Sequence, residues 1–237
     1  MKSVHIKTIA LLLTLLSITL TSCDFGVTGN GNVEERTENI KDFTQLEIEG
    51  NFDVFLTQAK EPGLRIEADE NLQDIIRVRQ DGDRLKIECD EHILRAKKKS
   101  LHISFTDLAK LELVGAVDLR GETPIEVTSL RIQCSGAIDM DLELLAERLR
   151  LDVSGAANCD LEGQVEEVSL ELSGAGDFNA IDLRADKMTI VLSGAAKARV
   201  YATEELNVVM SGAGSVKYKG DPEIRKTISG IGSLRKY

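Results

Sequence analysis

The sequence predicts an all-β protein, a right-handed parallel β-helix (solenoid) with rungs of about 19 residues. Three observations lead to this prediction. A Ser-Gly-Ala or closely similar tripeptide recurs along the second half of the chain, the spacing between its copies is nearly constant, and apolar residues alternate with polar ones around each copy. Such a pattern is typical of stacked repeats, in which one repeat needs its neighbours to bury its apolar face.

The repeat is located most easily by its glycine. The intervals between successive glycines are 21, 19, 19, 20, 18 and 18 residues, so little room is left for long inserted loops. Glycine suits a corner where φ is positive or where stacked backbones approach closely. We therefore expect a structural role for the repeat glycines, which are Gly115, Gly136, Gly155, Gly174, Gly194, Gly212 and Gly230.

Alternation around each glycine predicts strands. Near Gly155, for example, Leu151, Val153 and Cys159 are apolar, and Asp152 between them is polar. A period of two means that one face of a strand is buried. Each repeat would supply two short strands joined at the tripeptide, followed by a polar return, and successive repeats would stack about 4.8 Å apart.

The beginning of the chain predicts export. Lys2 and Lys7 precede an apolar run that is too short to span a membrane but fits a signal peptide. Leu20-Thr21-Ser22-Cys23 resembles the bacterial lipobox, so Cys23 is the predicted lipidation site, carrying acyl chains such as palmitate. The predicted divisions are a signal peptide (1–22), a lipid-anchored linker (23–32), an irregular N-terminal β part of the solenoid (33–110) and the regular rungs (111–237).

Composition narrows the range of functions that the chain can have. The chain has 237 residues and a formal net charge of −11, which becomes −13 without the two lysines that precede Cys23. Such acidity argues against nucleic-acid binding. Tryptophan is absent from the sequence, which leaves little material for a sugar-stacking platform. We interpret Cys89, Cys134 and Cys159 as small core residues, and we expect no cofactor.

The part before the regular repeats carries related signals. Apolar residues alternate about Gly50, and "IIRVRQDGDRLKIEC" predicts two strands around a turn at Asp81-Gly82-Asp83. The basic stretch "LRAKKKS" is interpreted as a solvated surface loop. The opening "GNGNV", the stretch "FTQLEIEGNFDVFLTQ" and the Ser-Gly-Ala rungs behind a lipobox resemble the bacterial family called "putative auto-transporter adhesin head, GIN domain", over about residues 30–235.

This resemblance implies an exported β-helix protein, often a lipoprotein of the Bacteroidetes, with an adhesin-like role. It carries no catalytic residues that could be transferred to this chain. The chain departs from the family in one place. The family name suggests a Gly-Ile/Phe-Asn-like signature, and this chain has Gly50-Asn51-Phe52 there, so we attach no function to this tripeptide.

Catalysis by the repeated serines is disfavoured. Six serines occupy equivalent positions, namely Ser135, Ser154, Ser173, Ser193, Ser211 and Ser229. A nucleophilic serine needs a base within hydrogen-bond reach, whereas the three histidines, His5, His92 and His102, all precede the regular rungs. A polysaccharide-active β-helix enzyme is the alternative, and it would have to use His92, His102 and Lys97–Lys99.

An outward column of polar residues is a candidate calcium site. It lies three residues after each glycine and comprises Asp53, Asp118, Asp139, Asn158, Asp177, Lys197 and Ser215. A cation between Asp118 and Asp139 would relieve their repulsion, but Lys197 interrupts the column. Calcium-binding nonapeptide repeats would also need two Gly-x-Asp turns per rung, and each repeat of this chain has one glycine. A solvated column without a metal is the expectation.

The sequence thus predicts a non-catalytic module, held at the outer membrane by its lipid, with adhesin-like binding or surface presentation as its role. Its partners would be proteins or glycans, besides the membrane itself, and not nucleic acid. The alternative is a structural, envelope-maintenance lipoprotein. The faces bearing Glu112, Asp152 and Glu171 are the expected place for a ligand.

Overall fold

The computed structural model describes residues 26–237 and consists mainly of β-strands. Within that range the only helix is a single turn, α1. The elements in chain order are β1 (Val27–Thr28), β2 (Val33–Glu38), β3 (Gln45–Gln58), β4 (Gly63–Asp69), α1 (Glu70–Gln73), β5 (Ile76–Asp81), β6 (Arg84–Cys89), β7 (Ile93–Arg95), β8 (Lys99–Phe105), β9 (Lys110–Gly121), β10 (Ile125–Lys219) and β11 (Glu223–Lys236). The fold is therefore all-β, as predicted. The predicted signal peptide and Cys23 lie outside the described residues.

Parallel pairing dominates the second half of the chain. Residues 110–120 align with 131–141, which places Gly115 beside Gly136. The strand β11 aligns with the end of β10 and places Gly230 beside Gly212. In the same way β3 aligns with β9, with Gly50 beside Gly115. The spacings of 21 and 18 residues seen in the sequence are thus the register in which β9 and β11 pair with β10.

The strand β10 runs for 95 residues without interruption, whereas the sequence predicts separate short strands joined at the tripeptides. The reason for the difference is that a tripeptide pairs residue for residue with the next one, as Ser211-Gly212-Ala213 does with Ser229-Gly230-Ile231. The hydrogen-bond ladder therefore continues through the glycines.

Shorter strands extend the sheet from β3. The first half of β3 pairs in parallel with β6, and its second half pairs with β8. Antiparallel strands follow, with β5 beside β6, β4 beside β8 and β2 beyond β4. The turn between β5 and β6 contains Gly82 at φ +59°, which confirms the predicted hairpin.

Alternate residues of the parallel strands form one apolar core. Around Gly155, the side chains of Leu151, Val153 and Cys159 are buried. Burial of one such aliphatic side chain stabilises a fold by about 1.5–3 kcal/mol. The predicted alternation about Gly50 is also observed, and it buries Leu46, Ile48, Phe52 and Val54.

A buried carboxylate fastens the N-terminal segment to this core. Asp69, the last residue of β4, is 0% exposed and accepts backbone N–H bonds from Gly31 (2.9 Å), Lys98 (2.9 Å) and Lys97 (3.1 Å). Burial alone would raise the pKa of Asp69, but these donors outweigh it and hold that pKa below its ordinary value. Asp69 therefore joins segments that are distant in sequence.

The first part of the chain contacts the rest of the fold at several places. Within the predicted linker 23–32, β1 pairs with β7 and the Asn30 backbone N–H donates to Asn71 Oδ1. The basic stretch is not a freely solvated loop. Its backbone is held by Asp69, and the Lys99 ammonium donates to Asn51 Oδ1 at 2.5 Å.

Candidate functional site

The repeat glycines form a column of close backbone contacts. Their φ values lie between 113° and 152°, a region that residues with a side chain rarely adopt. A Cβ atom added to any of them would lie under 3.0 Å from the carbonyl oxygen of the glycine before it in the column, beginning with Gly50 beneath Gly115. Positive φ and close approach therefore both require glycine at these positions.

A ladder of hydroxyl groups lies beside the glycines. The repeated serines are exposed, and Ser193 Oγ lies 3.4 Å from Ser211 Oγ. Ser229 Oγ donates to the Met210 carbonyl at 3.3 Å. These hydrogen bonds join one repeat to the next, and neither involves a base that could activate a serine.

Arginines and carboxylates alternate on the side of the column that precedes the glycines. The Arg131 guanidinium donates to Asp152 Oδ2 at 2.8 Å, and Arg150 Nε donates to the same oxygen at 3.0 Å. Arg150 also lies 3.5 Å from Glu171. In the neighbouring repeat the Lys110 ammonium contacts Glu112 at 2.8 Å. We call this surface the arginine–carboxylate face.

The arginine–carboxylate face lines an open groove of about 490 Å³, together with Ser135, Ser154 and Ser173. Hydrogen bonding to Asp152 raises the pKa of Arg150 above its ordinary value. Arginine is a cation at any physiological pH. The groove offers charged donors and carboxylate acceptors in successive repeats. Such a surface can hold the hydroxyl, amide or carboxylate groups of an extended partner.

The predicted ligand-facing carboxylates, Glu112, Asp152 and Glu171, all lie in this groove. Arg131 and Arg150, which stand five residues before Gly136 and Gly155, are not among the residues singled out from the sequence. The sequence contains the pattern needed to find them, because a period of two places these arginines on the same face as the carboxylates.

A second groove, of about 590 Å³, lies on the other side of the glycines and contains the first part of the outward polar column. Several carboxylates of this column have partners within the protein. Lys99 lies 3.2 Å from Asp53, and Arg199 lies 3.1 Å from Asp177. The Asn158 amide donates to Asp139 at 2.8 Å. Within residues 26–237 no group of three or more metal-ligating His, Cys, Asp or Glu side chains occurs.

The residues named for the enzymatic alternative are placed away from both grooves, apart from Lys99 in the second. His102 stacks on Phe55 with ring centroids 4.7 Å apart. Burial, with a further contribution from Arg65, lowers the pKa of His102. His92 is exposed, and its backbone carbonyl accepts the Val27 N–H in the β1 segment.

The three cysteines described by the structure are free thiols. Cys134 and Cys159 are buried in the core, and Cys89 is half-buried. Burial raises the pKa of Cys89 to about 11 and that of Cys159 to about 12, and it raises the pKa of Cys134 further still. Such thiols pack as small apolar groups.

Solved structures with the same fold come from bacteria. An adhesin described as putative, from Bacteroides fragilis NCTC 9343, superposes with a TM-score of 0.84 at 24% identity, covering 90% of this chain and 100% of its own. A protein described as "Putative lipid binding protein", from Parabacteroides distasonis ATCC 8503, gives 0.72 at 27% identity, covering 89% and 99%. Another structure from that organism, described as a "putative adhesin", superposes with a TM-score of 0.68 at 18% identity, covering 89% of this chain and 99% of its own.

Sequence comparison gives the family. No curated protein matches this chain. Within residues 26–237 no helix is long and apolar enough to cross a membrane. A family profile, however, matches residues 42–222, most of the chain. The chain therefore belongs to the family described as "Putative auto-transporter adhesin, head GIN domain".

Proposed function

We propose that this chain is a non-catalytic, adhesin-like module of the bacterial cell envelope, which binds an extended protein or glycan along its arginine–carboxylate face. The observation that carries the proposal is the open groove in which Arg131, Arg150 and Asp152 form one network that spans consecutive repeats. Family membership supports an adhesin-like role at the envelope.

The proposed framework is a right-handed parallel β-helix with rungs of about 19 residues. Two observations support it, namely the register of 18 and 21 residues between paired strands and the column in which each glycine packs on the glycine before it. In such a framework equivalent side chains recur about every 4.8 Å along the axis. A ligand with its own linear repeat would meet the same chemistry at each rung.

The binding chemistry is that of a surface and not of an enclosed pocket. Arginine presents a planar fork of donors that suits carboxylate groups on a partner, and the neighbouring serines add hydroxyl groups that can donate or accept. Acidic glycans and acidic peptide segments fit the arginines best. The neighbouring structure described as lipid binding leaves a lipid as another ligand to be tested.

The experiment is binding of the purified protein, from residue 24 onward, to an array of acidic glycans and peptides. Arg131→Gln with Arg150→Gln should weaken binding about tenfold or more, since two charge-assisted contacts are lost. Arg184→Gln is the matched control, because Arg184 forms a comparable exposed ion pair with Asp186 elsewhere. Equal binding by the double variant and the control would refute the proposed face.

The enzymatic alternative is tested in the same preparation. Pectin, alginate and glycosaminoglycans would be incubated with the protein, and new unsaturated or reducing ends would be measured. We expect none. Turnover that disappears in a His102→Ala variant would replace the binding proposal by an enzymatic one.

Membrane attachment through Cys23 belongs to the same proposal. The sequence around Cys23 resembles a lipobox, and two or more acyl chains anchor a protein stably without a spanning segment. Cys23→Ala should therefore move the protein from the detergent phase to the aqueous phase, or leave it unprocessed. Detergent partitioning equal to that of the wild type would contradict lipid anchoring, and protease shaving of intact cells would show which face of the outer membrane carries the protein.

A further inference from the structure

The last strand, β11, is an open sheet edge. It pairs with β10 on one side and ends the strand order of the main sheet, so its outer edge has no partner among residues 26–237. An edge of this kind presents a row of free N–H and C=O groups that can pair with another strand.

The apolar core also reaches the surface at this edge. Ile224 and Ile228 continue the columns of the buried residues Leu206 and Met210. They are nevertheless 37% and 36% exposed, because no further strand covers them. Ile231 is 88% exposed. Four of the five exposed large apolar residues in the described part of the chain belong to this end, namely Ile224, Ile228, Ile231 and Tyr237.

Between the two exposed isoleucines, β11 carries a charged residue at a position that is apolar in the neighbouring strand. Lys226 aligns with Val208, which is 0% exposed. A strand added on β11 would cover the ammonium of Lys226, and burying an unpaired charge is costly. An added strand must therefore place a carboxylate opposite Lys226 and apolar side chains opposite Ile224 and Ile228.

The charge of the whole edge favours the same kind of partner. The strand β11 carries four basic residues and one acidic residue, a net charge of +3, in a chain whose net charge is −11. Arg225 and Lys236 have local partners in Glu223 and Asp221. Two β11 edges would bring like charges together, so edge-to-edge pairing with a second copy is disfavoured.

We propose that β11 is a docking edge for an extended acidic segment of a partner protein, which adds to the sheet as one more strand. Its recognition pattern is apolar, any residue, acidic, any residue, apolar, read opposite Ile224, Lys226 and Ile228. Main-chain hydrogen bonds supply affinity in such strand addition, and the alternate side chains supply specificity. This edge is distinct from the arginine–carboxylate face, and the proposal does not depend on that face.

The test uses a short threonine-rich peptide with leucines at the two apolar positions and glutamate between them. Binding to the purified protein is measured by fluorescence polarisation, alongside a peptide with lysine in place of the glutamate. We expect saturable binding of the glutamate peptide and at least about tenfold weaker binding of the lysine peptide. Lys226→Glu should reverse this preference. Lys60→Glu, which makes the same charge change on an exposed turn after β3, should leave it unchanged.

Folding is controlled by comparing the circular dichroism and melting temperature of each variant with the wild type. A second measurement, hydrogen exchange, should show the β11 amides protected when the glutamate peptide is bound. Equal binding of both peptides, or no binding of either, would overturn the proposal. Self-association of the protein that Lys226→Glu alters would also overturn it, since the occupant would then be a second copy.

Discussion

The two halves of the molecule are held together by different means. In the part up to β8, strands of both directions meet, and side chains such as Asp69, Arg36 and Gln80 bond to backbone groups about 40 residues away. In the part from β9 onward, one parallel register repeats, and backbone packs on backbone through the glycines. The first half should therefore be sensitive to the loss of polar side chains, and the second to any added volume at the glycines.

The largest effect is expected from Gly174→Val. The new Cβ would collide with the backbone of Gly155, and valine disfavours the φ of +152° found at this position. We expect a loss of about 4 kcal/mol or more in the free energy of unfolding, measured by thermal or urea denaturation. Gly31→Ala is the control, because it meets a positive φ in open space and should cost about 1 kcal/mol. Equal losses for the two variants would show that the glycine contacts do not matter.

Asp69→Ala should have the next largest effect. It leaves the partly buried hydrogen-bond donors Gly31, Lys97 and Lys98 without their carboxylate acceptor, and a buried N–H group that stays unsatisfied costs about 1–3 kcal/mol. A loss of about 3 kcal/mol is expected in urea denaturation. Asp182→Ala, at an exposed position of the regular part, is the comparison and should change stability little. A small effect of Asp69→Ala would mean that the first half does not depend on its polar contacts.

Acid should weaken the first half in a way that depends on Asp69 and Glu47. Burial would raise the pKa of Glu47, but hydrogen bonds from Arg84 and Lys86 hold it below the ordinary value, as the backbone donors do for Asp69. A lowered carboxylate pKa adds stability above the unfolded-state value, near about 4, and that stability is lost as the pH falls through the folded-state value.

The melting temperature of the wild type should therefore fall steeply from about pH 5 downward. In Asp69→Asn the fall should be shallower, because one of the carboxylates whose pKa is lowered in the folded state is gone. Parallel curves for the wild type and the variant would contradict the assignment of Asp69.

The regular half should tolerate loss of its repeated hydroxyls. Ser173 is exposed, and Ser173→Ala should cost less than about 1 kcal/mol, at the position next to Gly174. A melting temperature lowered as much as by Gly174→Val would mean that the serine ladder, and not the glycine column, holds the repeats together.

The smallest expected difference between the two halves is in the rate of thiol labelling. Cys89 is half-buried and should react slowly in the native protein, whereas Cys134 and Cys159 should react only when the core opens. Mass spectrometry of the labelled peptides distinguishes them. Early labelling of Cys159 would contradict a closed core in the regular half.

The same division explains how much of the molecule is predictable from its sequence. The columns around Gly155 and its equivalents follow from alternation and spacing, which are local and repeated, so the sequence alone assigns them. The contacts of Asp69 are not predictable in this way, because its partner Gly31 lies 38 residues away and nothing in the intervening pattern specifies an antiparallel neighbour. Arg131 and Arg150 lie between these cases, since alternation predicts their face but their shared contact with Asp152 depends on the register.

The most direct test of the proposed stack is removal of one whole rung. Deleting residues 156–174 joins Gly155 to Ala175 and keeps every later glycine in register, so the variant should unfold cooperatively near the wild-type melting temperature, as expected for nearest-neighbour repeats. Deleting residues 156–165 removes about half a rung, turns buried positions outward and should abolish cooperative unfolding. Thermal unfolding followed by circular dichroism decides between them. Equal damage from the two deletions would contradict a stack of rungs of about 19 residues.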